Sequence, residues 1–144
     1  MFNAFEYFST IYQNAGLIQI FKASGISIVE DLLKSFSNTP DNCLIVRDSG
    51  DGHLNFRDRQ LDTGYHTIYI FVKGKLNYPA VNMAAKRAAM LKGIALFKRM
   101  KLDAGDFGDA AYGFDDSKVD YSEIGPIGQQ MYGYSFSFLM EHEF

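Results

Sequence analysis

Residues 65–72, Tyr-His-Thr-Ile-Tyr-Ile-Phe-Val, constrain the fold more than any other stretch. In an extended chain Tyr65, Thr67, Tyr69 and Phe71 fall on one side, and Ile68, Ile70 and Val72 on the other. Apolar groups on both faces predict a central strand covered on both sides, since a strand with one wet face alternates more strictly. The turn Lys73-Gly74-Lys75 then leads to the longest helical pattern, running to about Lys101. There Asn77 is the expected cap and Pro79 sits in the first turn, where its missing N–H costs nothing.

That helix has two apolar stripes. Val81, Ala84, Ala85, Ala88 and Ala95 form a small one; Met83, Met90, Ile94 and Phe97 form a bulky one on nearly the opposite side. A helix apolar on two sides is expected to be covered on two sides. Either the alanines approach the sheet while N-terminal helices cover the bulky stripe, or one stripe is a subunit interface.

The remaining elements are read by period and by turn chemistry. Phe5, Phe8, Tyr12 and Ala15 recur at helical spacing, with Gly16 as the stop. Ser27-Ile28-Val29-Glu30 has the capping-box pattern and predicts a second helix, ended by Asn38-Thr39-Pro40-Asp41. Residues 42–47 read as a strand, and the glycines of Asp48-Ser49-Gly50-Asp51-Gly52 as a tight turn or loop. The charged stretch 53–63 suits an exposed hairpin arm or an irregular loop. Residues 103–117 are rich in Gly and Asp and read as a loop or flap. A short strand is expected over 119–124, ended by Gly125-Pro126. Alternating Tyr134, Phe136, Phe138 and Met140 give a closing strand with one apolar face. The expected fold is α+β: a mostly antiparallel sheet of four to five strands, helices packed on one face, and one long helix between the central and C-terminal strands. With 144 residues and no linker, one domain is expected over 1–144, with N-terminal helices in 1–41 and sheet plus long helix in 42–144.

Composition narrows function by removing classes. The one cysteine, Cys43, lies in the apolar run Cys43-Leu44-Ile45-Val46, as a small hydrophobe would, and suggests a reducing compartment. No segment reaches the roughly 20 apolar residues of a membrane span, and the first residues lack a basic region, so neither export nor membrane insertion is expected. His53, His66 and His142 lie far apart, and strand alternation splits Glu141-His142-Glu143 between faces, so no metal is expected. Asp48-Ser49-Gly50-Asp51-Gly52 lacks the ligand spacing of a calcium loop. Phosphate-cradling glycine motifs and the nucleophile elbow are absent too, so the sequence predicts neither an enzyme nor a cofactor.

Charge is segregated along the chain. Residues 73–102 contain no acid, but carry Lys73, Lys75, Lys86, Arg87, Lys92, Lys98, Arg99 and Lys101. Residues 103–123 reverse the balance, with seven acids (Asp103, Asp106, Asp109, Asp115, Asp116, Asp120 and Glu123) against Lys118. The acidic segment could fold back on the helix, or the two patches could meet between copies in a ring. On the second reading the candidate interface is Lys86, Arg87, Lys98 and Arg99 against Asp115 and Asp116. A nucleic-acid-binding or nuclease-like domain using the basic helix is the alternative, although a net charge of −3 argues against bulk phosphate binding.

The run Leu44-Ile45-Val46-Arg47-Asp48-Ser49-Gly50-Asp51-Gly52, then Thr67-Ile68-Tyr69-Ile70-Phe71-Val72-Lys73-Gly74, then the Ala-rich helix from Ala80, resembles the tail-terminator and minor-capsid (head-tail joining) proteins of long-tailed bacteriophages. The aromatic stretch 128–142 is similar to that family's last strand. The likeness covers about two thirds of the chain and lies in the order of elements, with no invariant chemical signature. It implies a structural virion protein whose copies form a ring, commonly a hexamer, at the head-proximal end of the tail tube. That ring stops tube polymerisation, joins tail to head, contacts tail-tube and head-neck proteins, and lets DNA pass without sequence-specific binding. It implies no catalytic residues and a location in the virion, with the host cytoplasm during assembly. The long acidic segment after the main helix departs from the family and leaves a different neck position, such as head completion, open.

Overall fold

The computed structural model describes residues 2–23, 41–47, 50–127 and 130–144. Helix α1 spans Ala4–Ile11; Asn3 caps it, its side-chain oxygen accepting the N–H of Glu6 at 3.0 Å. A 3₁₀ turn over Tyr12–Ala15 follows and stops at Gly16, whose φ of +80° suits glycine. The strands are β1 (Gln19–Ala23), β2 (Cys43–Arg47), β3 (Gly52–Asn55), β4 (Leu61–Lys73), β5 (Asp120–Ile127) and β6 (Met131–Glu143). Helix α2, Pro79–Ala104, lies between β4 and β5. The helix expected from Ser27 lies outside the described residues.

Strand β4 is central, as its two apolar faces require. On one side it pairs with β6 over its whole length, from Leu61↔Glu143 to Lys73↔Met131. On the other, β2 and β3 pair with it in succession, the register running from Val46↔Ile68 to Gly52↔Gly64. The order is β1-β2-β4-β6-β5, with β3 also on β4. The sheet thus has six strands, not four to five. It is mixed, because β1 runs parallel to β2 while every other pair is antiparallel. The stretch 53–63 forms the hairpin of β3 and β4. The strand expected over 119–124 continues through a cis Gly125-Pro126 bond, with a register shift between Ile124 and Ile127.

Both described helices cover one face of the sheet. Their core joins Phe8 and Ile11 of α1, Leu96 and Met100 of α2, and the strand residues Leu44, Val46, Ile68, Ile70, Phe136, Phe138 and Met140. The opposite face buries Cys43, Ile45, Tyr69, Phe71 and Met131, with Phe21, Ile124 and Ile127 against them.

Helix α2 departs from expectation in two ways. Its N-cap is Tyr78, without a side-chain bond, while Asn77 takes φ +64°; Pro79 does open the helix. The residues against the sheet are Ala85, Ala89, Gly93, Leu96 and Met100, so of the small stripe only Ala85 is fully buried and Val81, Ala84 and Ala95 are exposed. Of the bulky stripe, Met90 and Phe97 pack on the edge of the core, whereas Met83 and Ile94 are exposed. The cause is steric. The sheet presents Phe136 directly beneath Gly93, where a side-chain carbon would strike its ring, so the helix must set its smallest residues there.

Candidate assembly surface

The outer face of α2 follows from the helical period once the inner face is set. Met83, Arg87, Leu91, Ile94, Lys98 and Leu102 recur at spacings of three and four and share one side. Met83 is 71% exposed, Leu91 57%, Ile94 42% and Leu102 76%, so a row of large apolar side chains stands in the open around two cations. Neither Arg87 nor Lys98 has an ion-pair partner among the described residues.

The other predicted interface residues lie elsewhere or are engaged within the chain. Lys86 bonds Glu123 of β5, and that carboxylate, which accepts its hydrogen bond, holds the ammonium above the usual lysine range. Arg99 pairs with Asp103 one turn on, at 3.1 Å. Asp103 also accepts the Tyr7 hydroxyl at 2.7 Å; burial and this carboxylate keep the phenol protonated well above the ordinary tyrosine range. Asp115 accepts both the hydroxyl and the N–H of Ser117, bonds that hold its carboxyl below the usual range. Asp116 meets Lys101 at 3.7 Å. The acidic segment therefore folds back on the helix in part, leaving Arg87 and Lys98 as the cations of the predicted set with no ion-pair partner among the described residues.

Beside this face, α2, β5 and residues 114–119 enclose a groove of about 360 Å³. Met90, Ile94, Phe97, Phe114, Val119 and Tyr121 line it, with Lys98 and the Lys101–Asp116 pair at the rim. No local pattern in the sequence signals this groove, since its walls are far apart along the chain. Phe107, 82% exposed beyond the end of α2, carries a local signal, since it is a phenylalanine flanked on both sides by Asp and Gly.

Residues with chemical potential elsewhere are spent structurally. Cys43 is fully buried and its thiol is pushed up to about 12 by burial, so no thiolate forms near neutral pH. His66 stacks on Phe138, with ring centroids 5.5 Å apart, and burial holds it below the ordinary histidine range. His53 bonds the Tyr65 hydroxyl on the exposed hairpin. Glu141 and Glu143 are exposed, with half-buried His142 between them on the opposite side of β6. Among the described residues no three His, Cys, Asp or Glu side chains converge as metal ligands, and no helix is long and apolar enough to cross a membrane. A cleft of about 660 Å³ between α1 and residues 103–112 holds the Tyr7–Asp103–Arg99 network. The Tyr7–Asp103 bond crosses the cleft, while Nε2 of His142 on its wall is buried with no hydrogen-bond partner among the described residues.

A scan against protein-family models finds no match for this chain, and a search of curated proteins finds none either.

Proposed function

We propose that this chain is a structural assembly protein whose copies form a ring, a tail terminator or neck component that caps a tail tube and joins it to the head. The observation that carries the proposal is the outer face of α2, where Met83, Leu91, Ile94 and Leu102 are exposed around unpaired Arg87 and Lys98. A row of large exposed apolar residues with cations set between them is what a protein contact buries. A phosphate-binding face would be polar throughout, so the same row disfavours the nucleic-acid reading. The order of strand, polar-glycine turn, central strand and long helix supports the phage assignment. On this reading the partners are further copies, tail-tube proteins and head-neck proteins. DNA passes through the ring without sequence readout, no cofactor or catalytic step is involved, and the protein resides in the virion after assembly in the host cytoplasm.

Native mass spectrometry with negative-stain microscopy tests this. A closed ring with a central hole is expected. A monomer at all concentrations, or one that binds DNA with steep salt dependence through Arg87 and Lys98, would replace assembly with the nucleic-acid alternative.

A further inference from the structure

Residues 106–112 form a knob that complements the α2–β5 groove. Successive turns build it: Asp109 N–H bonds the Asp106 carbonyl at 3.0 Å, and Tyr112 N–H bonds the Asp109 carbonyl at 3.1 Å. One carboxylate oxygen of each aspartate is also used locally, Asp106 accepting the N–H of Gly108 and Asp109 that of Ala111. Phe107 packs edge-on against Tyr112, with centroids 4.9 Å apart, yet remains the most exposed large apolar side chain described. The knob is ordered by its own bonds, so little further ordering would be needed on binding. Neither Asp106 nor Asp109 has an ion-pair partner among the described residues.

The groove is the opposite in both shape and charge. It is concave and lined mainly by aliphatic and aromatic side chains; at its rim Lys98 has no ion-pair partner among the described residues, and Lys101 is paired with Asp116. Its volume of about 360 Å³ is open to solvent and faces Ile94, Phe97, Phe114 and Tyr121. Phe107 is not among the groove's lining residues and stands 82% exposed, so among the described residues it does not fill the groove of its own chain. We infer that the Phe107 knob of one copy seats in the α2–β5 groove of a second copy, with Asp106 and Asp109 facing Lys98. The contact joins two different patches of one subunit, as a ring of identical copies requires. An anionic membrane is the poorer occupant of this surface, because the chain carries net charge −3 while the acid-flanked aromatic complement lies in the same molecule.

The inference rests on the proposal that copies assemble, and sedimentation analysis of the full chain separates the two. Phe107→Ser and Ile94→Glu should each weaken self-association by roughly tenfold or more, the size expected when an anchor residue of an interface is removed. Phe107 projects into solvent, so the first variant should melt at the wild-type temperature. If Ile94→Glu lowers the melting temperature, Lys98→Glu replaces it as the groove-side variant and should weaken association several-fold at low salt. Mixing a knob variant with a groove variant should restore a one-to-one pair, because each supplies the patch the other lacks. Wild-type protein that never self-associates would remove both the assembly proposal and this contact. Wild-type protein that assembles, with both variants assembling equally well, would overturn the knob-and-groove contact alone.

Discussion

The inner and outer faces of α2 are both apolar, yet they are built from different residues and have different surroundings. The inner face opens with Ala85, Ala89 and Gly93 and meets a sheet that supplies the bulk, with Phe136 beneath Gly93. The outer face carries the large side chains Met83, Leu91, Ile94 and Leu102 and no described residue covers them. Side-chain size alone would therefore choose the wrong face as the core. What fixes the buried face is complementarity: large aromatic groups on the strands need small residues opposite, and close packing leaves no room for bulk on both sides.

The comparison can be broken from the core outward. The largest effect is expected from Ile70→Asp, which places a carboxylate in a strand covered on both faces and beneath the inner side of α2. Loss of about 4 kcal/mol or more is expected in urea denaturation, because nothing there can hydrate the charge; a variant only mildly weakened would show that β4 is not the centre of the core. Gly93→Val should cost about 3 kcal/mol, as Phe136 is held by Phe97 and Tyr134 and cannot withdraw. A wild-type melting temperature would mean that α2 stands farther from the sheet than described. The smallest effect on folding is expected from Leu91→Gln on the outer face, within about 0.5 kcal/mol of wild type. A substantial loss of monomer stability there would show that the outer face is covered within the chain, and the contrast between the faces would disappear.

Much of the fold was legible where a single local pattern decided it. The two-sided strand 65–72, the stop at Gly16, Pro79 opening the long helix and the alternation of Phe136, Phe138 and Met140 all appear where local chemistry places them. Strand β1 was not legible, since Gln19-Ile20-Phe21-Lys22-Ala23 is short and its state depends on parallel pairing with β2, a contact between distant residues. The candidate surface was legible only in part. The Arg99–Asp103 pair sits at helical i,i+4 spacing and could have been read directly, whereas Lys86–Glu123 forms only because β5 docks on β6 alongside α2.

By itself, the sequence determined the local periods, the punctuation by glycine and proline, and the separation of a basic helix from an acidic segment, because each depends on neighbours along the chain. It left α2 with two apolar sides and no intrinsic preference between them. Only the tertiary structure decided which side meets the sheet, by fitting Gly93 over Phe136 of β6 with Ala85 and Ala89 buried in the same core. The same fit chose which cations find acids and which, at Arg87 and Lys98, have no ion-pair partner among the described residues, since ion pairing is short-ranged and its partners meet only once distant strands are in place.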